Sequence, residues 1–332
     1  MKKDIMKTEV NMSCVICNSV TSKLLIETKF PIFNYPGIFK IRKCEGCGLL
    51  FNSPRITDEE IYKLYNNNYY FFESYEFDEF PRITNLYLRT IALIQNELKE
   101  KNVVEIGSGK GYLLSLMKNL GWNIQGIEIS SDASIYAVSS LNIPTFKGTI
   151  EDFNKEIHNT RFPLVLVLDV IEHIPDPIIF LKNVDKILAN GGLLIIDTPN
   201  GDAKNIEYLG RKWPAFNPFH IYFFSISNLQ LLLTRMGYTI EKSFTYNNVI
   251  RKMKLVWDFK HILQKVGLFK IIKGGYRLVV DRGKKQKDIK SLINDAIEVV
   301  QKKMNYFDTN DSTAELAESK RGDNIIIIAR KN

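Results

Sequence analysis

The run Val103-Val-Glu-Ile-Gly-Ser-Gly-Lys-Gly-Tyr112 decides how the rest of the chain is interpreted. Its valines and Ile106 predict a short buried strand, and the segment that follows has its leucines at helical spacing. Between the two, Gly107, Gly109 and Gly111 alternate with other residues. Glycine permits unusual backbone angles and lets a ligand approach the backbone closely. We therefore predict the ligand-binding strand-to-helix turn of an open α/β sheet.

From residue 102 onward, apolar strand-like runs alternate with helical patterns. This alternation is typical of a doubly wound α/β fold with a mainly parallel sheet. After the first strand, six further strands are predicted, at 123–128, 144–148, 163–169, 193–200, 237–243 and 324–330. The run at 163–169 is almost wholly apolar, which indicates a central strand buried on both faces.

All four cysteines lie near the start of the chain, as Cys14-Val-Ile-Cys17 and Cys44-Glu-Gly-Cys47. Paired C-x-x-C spacings suit tetrahedral zinc, because each short loop presents two thiolates to one metal. Disulfides are the alternative, which a cytoplasmic location disfavours. We predict a small zinc ribbon at residues 1–56. Its Zn²⁺ is structural, because four thiolates leave no open position for catalysis.

Glu128 ends the second predicted strand of the α/β region and lies 17 residues after Gly111. In a doubly wound fold, an acidic residue near this position accepts hydrogen bonds from the ribose hydroxyls of a nucleoside ligand. Such charge-assisted hydrogen bonds are stronger than neutral ones. A surface carboxylate without a ligand is the alternative.

Two motifs carry a resemblance to a known family. The spacing of Glu105, Gly107, Gly109 and Gly111 resembles motif I of the class I S-adenosylmethionine-dependent methyltransferases. A dinucleotide-binding fingerprint would instead need a glycine at 112, which is tyrosine. The run Asp169-Val-Ile-Glu-His-Ile-Pro-Asp-Pro177 resembles the segment after the fourth strand of that family. The similarity runs from about residue 14 to 236 and includes the last strand.

This resemblance implies a Rossmann-like methyltransferase sheet of seven strands, in which the last two form an antiparallel hairpin. It also implies S-adenosyl-L-methionine as cofactor. The glycine turn would position the methionine part, and Asp152 would accept a hydrogen bond from the adenine amino group. The predicted cofactor-binding residues are Glu105, Gly107, Ser108, Gly109, Gly111, Tyr112, Glu128, Ile129, Asp152, Asp169 and Val170.

In the subgroup that acts on sugars and quinone precursors, a proline-rich loop ends in a histidine that resembles His220. We therefore predict His220 as general base, with a structural hydrogen-bonding role as the alternative. The subgroup often has a glutamate before this histidine, whereas this chain has Phe219, so an adjacent carboxylate is missing. We expect His220 alone of the four histidines at the acceptor entrance. Glu172 and His173 are either ligand groups or braces of their loop, and bracing is favoured for His173.

The acceptor is predicted as the hydroxyl of a sugar, nucleotide-sugar or lipid-linked glycan precursor, as in cell-surface polysaccharide biosynthesis. The ribbon, the aromatic segment 66–80 and the His220 loop together resemble methyltransferases of such pathways. Methylation of a quinone-like small molecule is one alternative, and methylation of RNA or protein is another. A non-enzymatic S-adenosylmethionine-binding module is the reading from a different functional class.

The distribution of charge along the chain limits the kinds of partner that we expect the protein to bind. The chain of 332 residues has a net charge of +8, but residues 250–290 alone hold 13 Lys or Arg and three Asp. The excess charge therefore belongs to one segment, and a general nucleic-acid surface is not predicted. Its basic amphipathic pattern is that of a helix that covers a sheet edge or forms a dimer contact, or of one that lies on an anionic membrane surface.

The sequence lacks an apolar run long enough for a transmembrane helix and an apolar segment near Met1 typical of a secretory signal. We therefore expect a cytoplasmic protein, with residues 250–290 as the segment that would attach it peripherally to the inner membrane face. The predicted domains are the ribbon at 1–56, a linker and lid at 57–100, the methyltransferase domain at 101–249 plus 323–332, and a basic helical insertion at 250–322. The aromatic segment 66–80 is either a packing seam or part of the lid. The oligomeric state stays open.

Overall fold

The structure is a computed structural model that describes residues 6–10, 13–29, 37–66, 90–91, 93–94, 98–247 and 321–332. Three predictions fall largely or wholly outside these residues: the aromatic segment 66–80, an amphipathic helix that the sequence predicts at 82–99, and the basic insertion at 250–322. Within 82–99, residues 90, 91, 93 and 94 are helical, whereas residues 98 and 99 are not.

Thirteen strands are present among the described residues. They are β1 Thr8–Glu9, β2 Ser22–Lys29, β3 Ile38–Cys44, β4 Leu50–Asn52, β5 Arg55–Ile56, β6 Asn102–Ile106, β7 Asn123–Glu128, β8 Thr145–Lys147, β9 Phe162–Leu168, β10 Leu188–Pro199, β11 Tyr222–Phe223, β12 Tyr238–Tyr246 and β13 Asn324–Lys331. Seven of them form the main sheet, in the order β12-β13-β10-β9-β6-β7-β8.

The described helices alternate with these strands. They are α1 Asp58–Asn66, α2 Tyr112–Asn119, α3 Ser131–Leu141, α4 Ile150–Glu156, α5 Pro177–Ile187, α6 Lys204–Leu209 and α7 Ile226–Arg235. Helix α5 begins where its sequence predicts, because Asp176 Oδ1 accepts hydrogen bonds from the backbone N–H groups of Ile178 at 3.0 Å and Ile179 at 2.9 Å. Pro177 occupies the first turn, where its missing N–H costs no helical hydrogen bond.

The predicted doubly wound sheet of seven strands is confirmed. Neighbouring strands from β8 to β10 pair in parallel, and β13 pairs antiparallel with both β10 and β12. Successive residues of the central strands enter opposite core layers, as Leu164 and Val165 do in β9. Both side chains are fully buried. The near-continuous apolar runs therefore follow from burial of the sheet on both faces.

The N-terminal segment forms an antiparallel sheet that it shares with the α/β region. Strands β2, β3 and β4 are neighbours in sequence order, but the fourth strand is β11, which pairs with β4 as Tyr222↔Phe51 and Phe223↔Leu50. The sheet of the predicted ribbon is therefore not confined to residues 1–56. A loop that sequence reasoning assigned to the methyltransferase domain completes it.

Strand β10 begins earlier than predicted, at residue 188 rather than 193. Leu188 pairs with Phe162, and the register then shifts before Leu193 pairs with Leu164. Gly191 lies in this irregular stretch with φ +73°. The run Asn190-Gly-Gly192 has the composition of a helix stop, but here residues 190–192 form a bulge inside a strand.

No helix in the described part of the chain combines the length and the apolar character needed to cross a membrane.

Candidate functional site

A cavity of about 710 Å³ lies at the carboxyl ends of β6, β7 and β9. This volume is within the range of roughly 300–1,000 Å³ that is typical of small-molecule sites. The position is where ligands bind in open α/β sheets, beside the strand at which the sheet order reverses. Residues of α1 and of the loop that contains His220 complete the wall. The cavity wall therefore combines the glycine turn, the segment that begins at Asp169 and the His220 loop, which are three places where the sequence predicts functional residues.

The glycine turn forms one side of this cavity. Gly107 has φ +73° and Gly109 has φ +53°, a left-handed region that residues with a Cβ rarely adopt. A Cβ added to Gly107 would lie 2.4 Å from Cγ2 of Val170, which is too close. The turn therefore needs glycine both for its backbone angles and for its approach to the loop after β9.

Gly111 stays a predicted cofactor-binding residue, but it is not among the residues that line the cavity. It precedes the first residue of α2 with φ +77°. A Cβ at this position would meet Ala137 and Ile143 at 3.3 Å, so glycine allows α2 to pack closely on its neighbours. Gly107, Ser108, Gly109 and Tyr112 do line the cavity.

Glu128 and Glu105 both contribute a buried carboxyl group to the cavity wall beside the glycine turn. Glu128 Oε2 accepts a hydrogen bond from the Gly109 N–H at 2.8 Å, and Oε1 accepts one from the Ser130 N–H at 2.7 Å. Burial raises the pKa of Glu128, and these backbone hydrogen bonds oppose that rise. Burial, followed by the charge of Glu128, raises the pKa of Glu105 well above its usual value. Both groups line the cavity, as does Ile129.

Two polar atoms beside the turn lack partners within the described chain. Glu105 Oε2 and Ser108 Oγ are buried and accept or donate no hydrogen bond there. A buried polar atom without a partner costs about 1–3 kcal/mol, so such atoms mark places where a ligand completes the bonding. These two atoms and the Glu128 carboxylate could hold a polar cofactor.

Asp152 stays a predicted contact of the adenine, and the structure shows what its carboxylate does without a ligand. Oδ2 accepts hydrogen bonds from Thr149 N at 3.4 Å and Thr149 Oγ1 at 2.9 Å, as part of the capping box of α4. Oδ1 accepts a hydrogen bond from Lys155 Nζ at 3.0 Å. Asp152 is not among the residues that line the cavity, whereas Gly148, Thr149, Ile150 and Glu151 are.

Asp169 follows β9 and lies on the cavity wall with Val170. Its φ of +52° is unusual for a residue with a side chain. Strained backbone of this kind clusters at functional sites. The side chain is open to the cavity but surrounded by protein atoms, and this burial raises the pKa of Asp169 to about 6.

Two histidines, His173 and His220, line the cavity, although His220 alone was expected at the acceptor entrance. The rings of His173 and His220 meet edge to face, with 4.7 Å between centroids. His173 Nδ1 donates to the carbonyl of Phe219 at 3.0 Å, a bond that ties the turn after β9 to the His220 loop. His220 Nδ1 has no hydrogen-bond partner among the described residues. His173 is therefore placed to brace the loop, and His220 has a nitrogen available for a ligand.

Burial keeps both imidazoles neutral. It lowers the pKa of His173 to about 4, and it lowers the pKa of His220 well below its usual value. The positive form of His173 would disfavour protonation of His220 further, whereas the backbone of Ala215 favours it through a hydrogen bond. At neutral pH each ring therefore retains an unprotonated nitrogen, which a general base requires.

Glu172 supplies the carboxyl group that the sequence next to His220 lacks. Its Oε2 accepts a hydrogen bond from Thr198 Oγ1 at 2.9 Å, and its buried Oε1 has no partner in the described ranges. One ligand-type atom each from Glu172, His173 and His220 lies within 4.8 Å of the others. Burial, and then the charge of Asp169, raise the pKa of Glu172 well above its usual value. Glutamate and histidine in this arrangement could also hold a divalent cation.

Sequence reasoning missed Asp197 and helix α1 as parts of the site. Asp197 is 2% exposed, accepts a hydrogen bond from Tyr246 Oη at 2.6 Å, and lines the cavity. An acidic residue near the end of an apolar strand was the available signal. Ile61 and Tyr62 of α1 also line the cavity, and no pattern in the sequence indicated which face of that helix would do so.

The four cysteines meet at a second place in the structure. Their sulfur atoms lie within 4.8 Å of one another, with 3.5 Å between Cys14 and Cys47 and 3.5 Å between Cys17 and Cys44. The two C-x-x-C loops, which are far apart in sequence, therefore face each other. This arrangement could hold one tetrahedral metal ion.

Parts of the chain are similar in sequence to curated methyltransferases. The chain is 36% identical over 117 residues to a "Ubiquinone biosynthesis O-methyltransferase" of Glaesserella parasuis, covering 33% of this chain and 50% of that protein. It is 23% identical over 197 residues to a protein of the same name from Hydrogenovibrio crunogenus, covering 55% of this chain and 81% of that one. The chain spans about half the length of the first curated relatives that it matches.

Similarity to solved structures is weak. A "SAM dependent methyltransferase from Archaeoglobus fulgidus" has 15% identity and a TM-score of 0.47, with 79% of this chain and 100% of that chain covered. A family model described as a methyltransferase domain matches residues 77–243, which is half of the chain. This protein belongs to that methyltransferase-domain family.

Proposed function

We propose that this protein is an S-adenosylmethionine-dependent O-methyltransferase that acts on a small phenolic, quinone-like acceptor. The observation that carries the proposal is a single cavity lined by the glycine turn, by Glu128 and by His220. A methyltransferase needs this combination, because cofactor and acceptor must be held together in one water-poor site. Membership of the methyltransferase-domain family supports the same reaction class.

The residues on the cofactor side fit S-adenosylmethionine. Glu128 would accept hydrogen bonds from the ribose hydroxyls with lone pairs that its two backbone donors leave open. The bare backbone at Gly107 and Gly109 would leave room for the methionine part, and Ser108 Oγ would gain a partner. The bound cofactor supplies an activated methyl group.

His220 would receive the proton of the acceptor hydroxyl. Its imidazole is neutral at pH 7, and its Nδ1 has no partner in the described chain. A base whose pKa is lowered by burial is weak, so it suits a hydroxyl that is itself fairly acidic. Phenols lose a proton near pH 10, as tyrosine does, and are therefore better matched to this base than a sugar hydroxyl.

The apolar part of the cavity wall favours a flat apolar acceptor. Ile61 and Tyr62 from α1, together with Ile174, Pro175 and Ile179, line the cavity. Aromatic ligands gain free energy by covering such surface, at roughly 25 cal/mol per Å² of apolar area. The curated relatives are named for ubiquinone biosynthesis, which favours the quinone-like alternative over the sugar acceptor preferred from the sequence.

The proposal is tested by incubating the purified chain with labelled S-adenosylmethionine and two panels of acceptors. One panel contains catechols with and without alkyl chains, and the other contains nucleotide sugars. We expect label only in the catechol panel, in an ether that mass spectrometry identifies. Transfer to nucleotide sugars alone would restore the sugar prediction. Binding of S-adenosylhomocysteine without transfer to either panel would contradict the proposed acceptor class.

We further propose that the four cysteines bind one structural Zn²⁺ ion. The described sulfur distances are compatible with a tetrahedral site of metal–sulfur bonds of about 2.3 Å. All four ligand positions would then be protein thiolates. The metal would therefore stabilise the N-terminal sheet and take no part in the reaction.

A further inference from the structure

The loop that contains His220 is held by the N-terminal sheet. Strand β11 begins two residues after His220 and pairs with β4, so the chain from 221 to 223 continues the sheet that contains the cysteine loops. Ile221 and Phe223 are fully buried. The backbone that presents His220 to the cavity is therefore fixed from outside the α/β region.

Asn52 makes most of this connection. Its backbone N–H donates to the Ile221 carbonyl at 2.9 Å. Its side-chain Nδ2 donates to two further carbonyls, at 3.0 Å to Asn217 and at 2.6 Å to His220 itself. Asn52 is fully buried. One residue of the N-terminal sheet therefore donates hydrogen bonds to backbone carbonyls before, at and after His220 in the chain.

The opposite side of the same loop is bonded to the turn after β9. The Ile221 N–H donates to the Glu172 carbonyl at 2.7 Å, and Tyr222 Oη donates to the Pro175 carbonyl at 2.9 Å. His173 donates to the Phe219 carbonyl, as described above. The loop thus lies between two supports, and the one that includes Asn52 comes from the N-terminal sheet.

The sequence of the loop cannot fix this position by itself. Between the short 3₁₀ turn at Gly210–Lys212 and β11, the chain has no helix or strand, and it contains Pro214 and Pro218. Its internal bonds are short-range, such as those from the Phe219 and His220 N–H groups to Asn217 Oδ1. Removal of the Asn52 amide would leave the carbonyls of Asn217 and His220 without this donor, so the loop would lose its side-chain hydrogen bonds to the N-terminal sheet.

We propose that Asn52 is a positioning residue for His220, through which the N-terminal sheet sets the geometry of methyl transfer. This inference rests on the proposed function of His220 as the base. Asn52 does not line the cavity, so it acts through the loop and not on the ligand. A misplacement of about 1 Å in such a group can cost roughly 100-fold in rate.

The test compares Asn52→Asp with Asn228→Ala in the full chain. Aspartate keeps the shape of Asn52 but has no N–H to donate. Asn228 is a matched control, because it is 2% exposed and its Nδ2 also joins the two parts of the molecule, by donating to the Cys47 carbonyl at 3.0 Å. It makes no contact with the His220 loop in the described hydrogen bonds. Asn52→Ser is a second variant in case the aspartate prevents folding.

Three measurements separate positioning from a general loss of stability. They are the His220 imidazole resonances by NMR, the affinity for S-adenosylhomocysteine by calorimetry, and the single-turnover rate with the best catechol of the acceptor panel. We expect Asn52→Asp to shift the resonances and slow transfer about 100-fold, with affinity within about twofold of wild type. Asn228→Ala should lower the melting temperature and change neither the resonances nor the rate.

Unshifted His220 resonances in the Asn52 variants would overturn the proposal, and so would equal effects of Asn228→Ala. Shifted resonances with an unchanged transfer rate would also overturn it, because the displaced ring would then not matter for catalysis. If wild type transfers no methyl group to any acceptor, the proposed function fails. The inference falls with it even when the resonances shift, since it depends on His220 as the base.

Discussion

The carboxylate of Glu128 accepts a hydrogen bond from the backbone N–H of Gly109, with 2.8 Å between Oε2 and N. This bond joins the end of β7 to the glycine turn after β6. The loops that follow β6 and β7, both of which line the cavity, are therefore held at a fixed distance from each other. The same carboxylate is 5% exposed and lines the cavity. Glu128 therefore has two functions to test, shaping the turn and contacting the ligand.

Replacement of Glu128 by alanine should weaken cofactor binding. Hydrogen bonds to a charged group contribute about 1.5–3 kcal/mol, so the dissociation constant for S-adenosylhomocysteine should rise roughly 10- to 150-fold. Isothermal calorimetry at pH 7.5 measures this. An affinity equal to that of wild type would remove Glu128 from the site.

Replacement of Asp152 by alanine should lower the stability of the protein and leave its cofactor affinity unchanged. The variant keeps Thr149 as the N-cap of α4 and loses the hydrogen bonds that the Asp152 carboxylate accepts from Thr149, which should lower the free energy of unfolding by about 0.5–1.5 kcal/mol. Cofactor affinity should stay at the wild-type value, since Asp152 does not line the cavity. Urea unfolding and calorimetry on the same sample measure the two effects. A weakened affinity without loss of stability would instead support the predicted contact of Asp152 with the adenine.

His220→Ala should reduce turnover and leave cofactor binding intact. Removal of a general base lowers the rate by about 10²–10⁴-fold. Release of S-adenosylhomocysteine during steady-state turnover of a catechol acceptor measures this loss. His158→Ala is the matched control, because His158 is exposed and does not line the cavity. Wild-type turnover in the His220 variant would reject its assignment as base.

The buried neutral state of His173 predicts how stability depends on pH. Its pKa falls from 6.5 to about 4 on folding, so between these values the unfolded chain binds a proton that the folded chain does not. The stability from this group is complete above pH 6.5 and is lost as the pH falls toward 4, by about 3 kcal/mol in all.

The measurement is the difference in unfolding free energy between wild type and His173→Asn, by urea unfolding from pH 8 to pH 4. Asparagine retains an N–H for the Phe219 carbonyl but does not titrate. We expect this difference to be constant above pH 7. Below pH 7, the free energy of unfolding of wild type should fall relative to that of the variant. A difference that is constant throughout would mean that His173 can be protonated in the folded protein.

The cysteine cluster predicts one zinc per chain. Protein purified without chelator should contain close to one equivalent, and Cys44→Ser should lose the metal and unfold at lower temperature. Glu45→Gln, which changes the adjacent residue in the same loop, is the control and should keep its zinc. Metal analysis by mass spectrometry together with thermal melts checks this. Less than half an equivalent in the wild-type chain would contradict the zinc site.

Much of the fold could be predicted from local patterns. Apolar runs such as that of β9 mark strands buried on both faces, because each residue must be apolar whichever face it occupies. The glycine turn was also evident, since only glycine adopts the backbone angles of residues 107 and 109 without strain. Glu128 at the end of the next strand followed from the same local rule.

Other parts of the site could not be predicted, because they depend on which distant segments meet. Asp152 has the residue type expected for the adenine, but a neighbouring threonine and lysine engage it in the helix cap. His173 enters the cavity next to His220 because the turn after β9 packs on a loop 46 residues further along the chain. Asn52 is separated from His220 by 168 residues, so sequence spacing contains no sign of their contact.

The sequence by itself determined the order of strands and helices, the cofactor turn and the pairing of cysteines into two loops. Each of these depends on backbone angles or side-chain periodicity over fewer than about ten residues. The tertiary structure decided that the N-terminal sheet includes β11 and that Glu172, His173 and His220 share one end of the cavity. These outcomes depend on long-range packing and hydrogen bonds, whose partners are chosen only when the chain has folded.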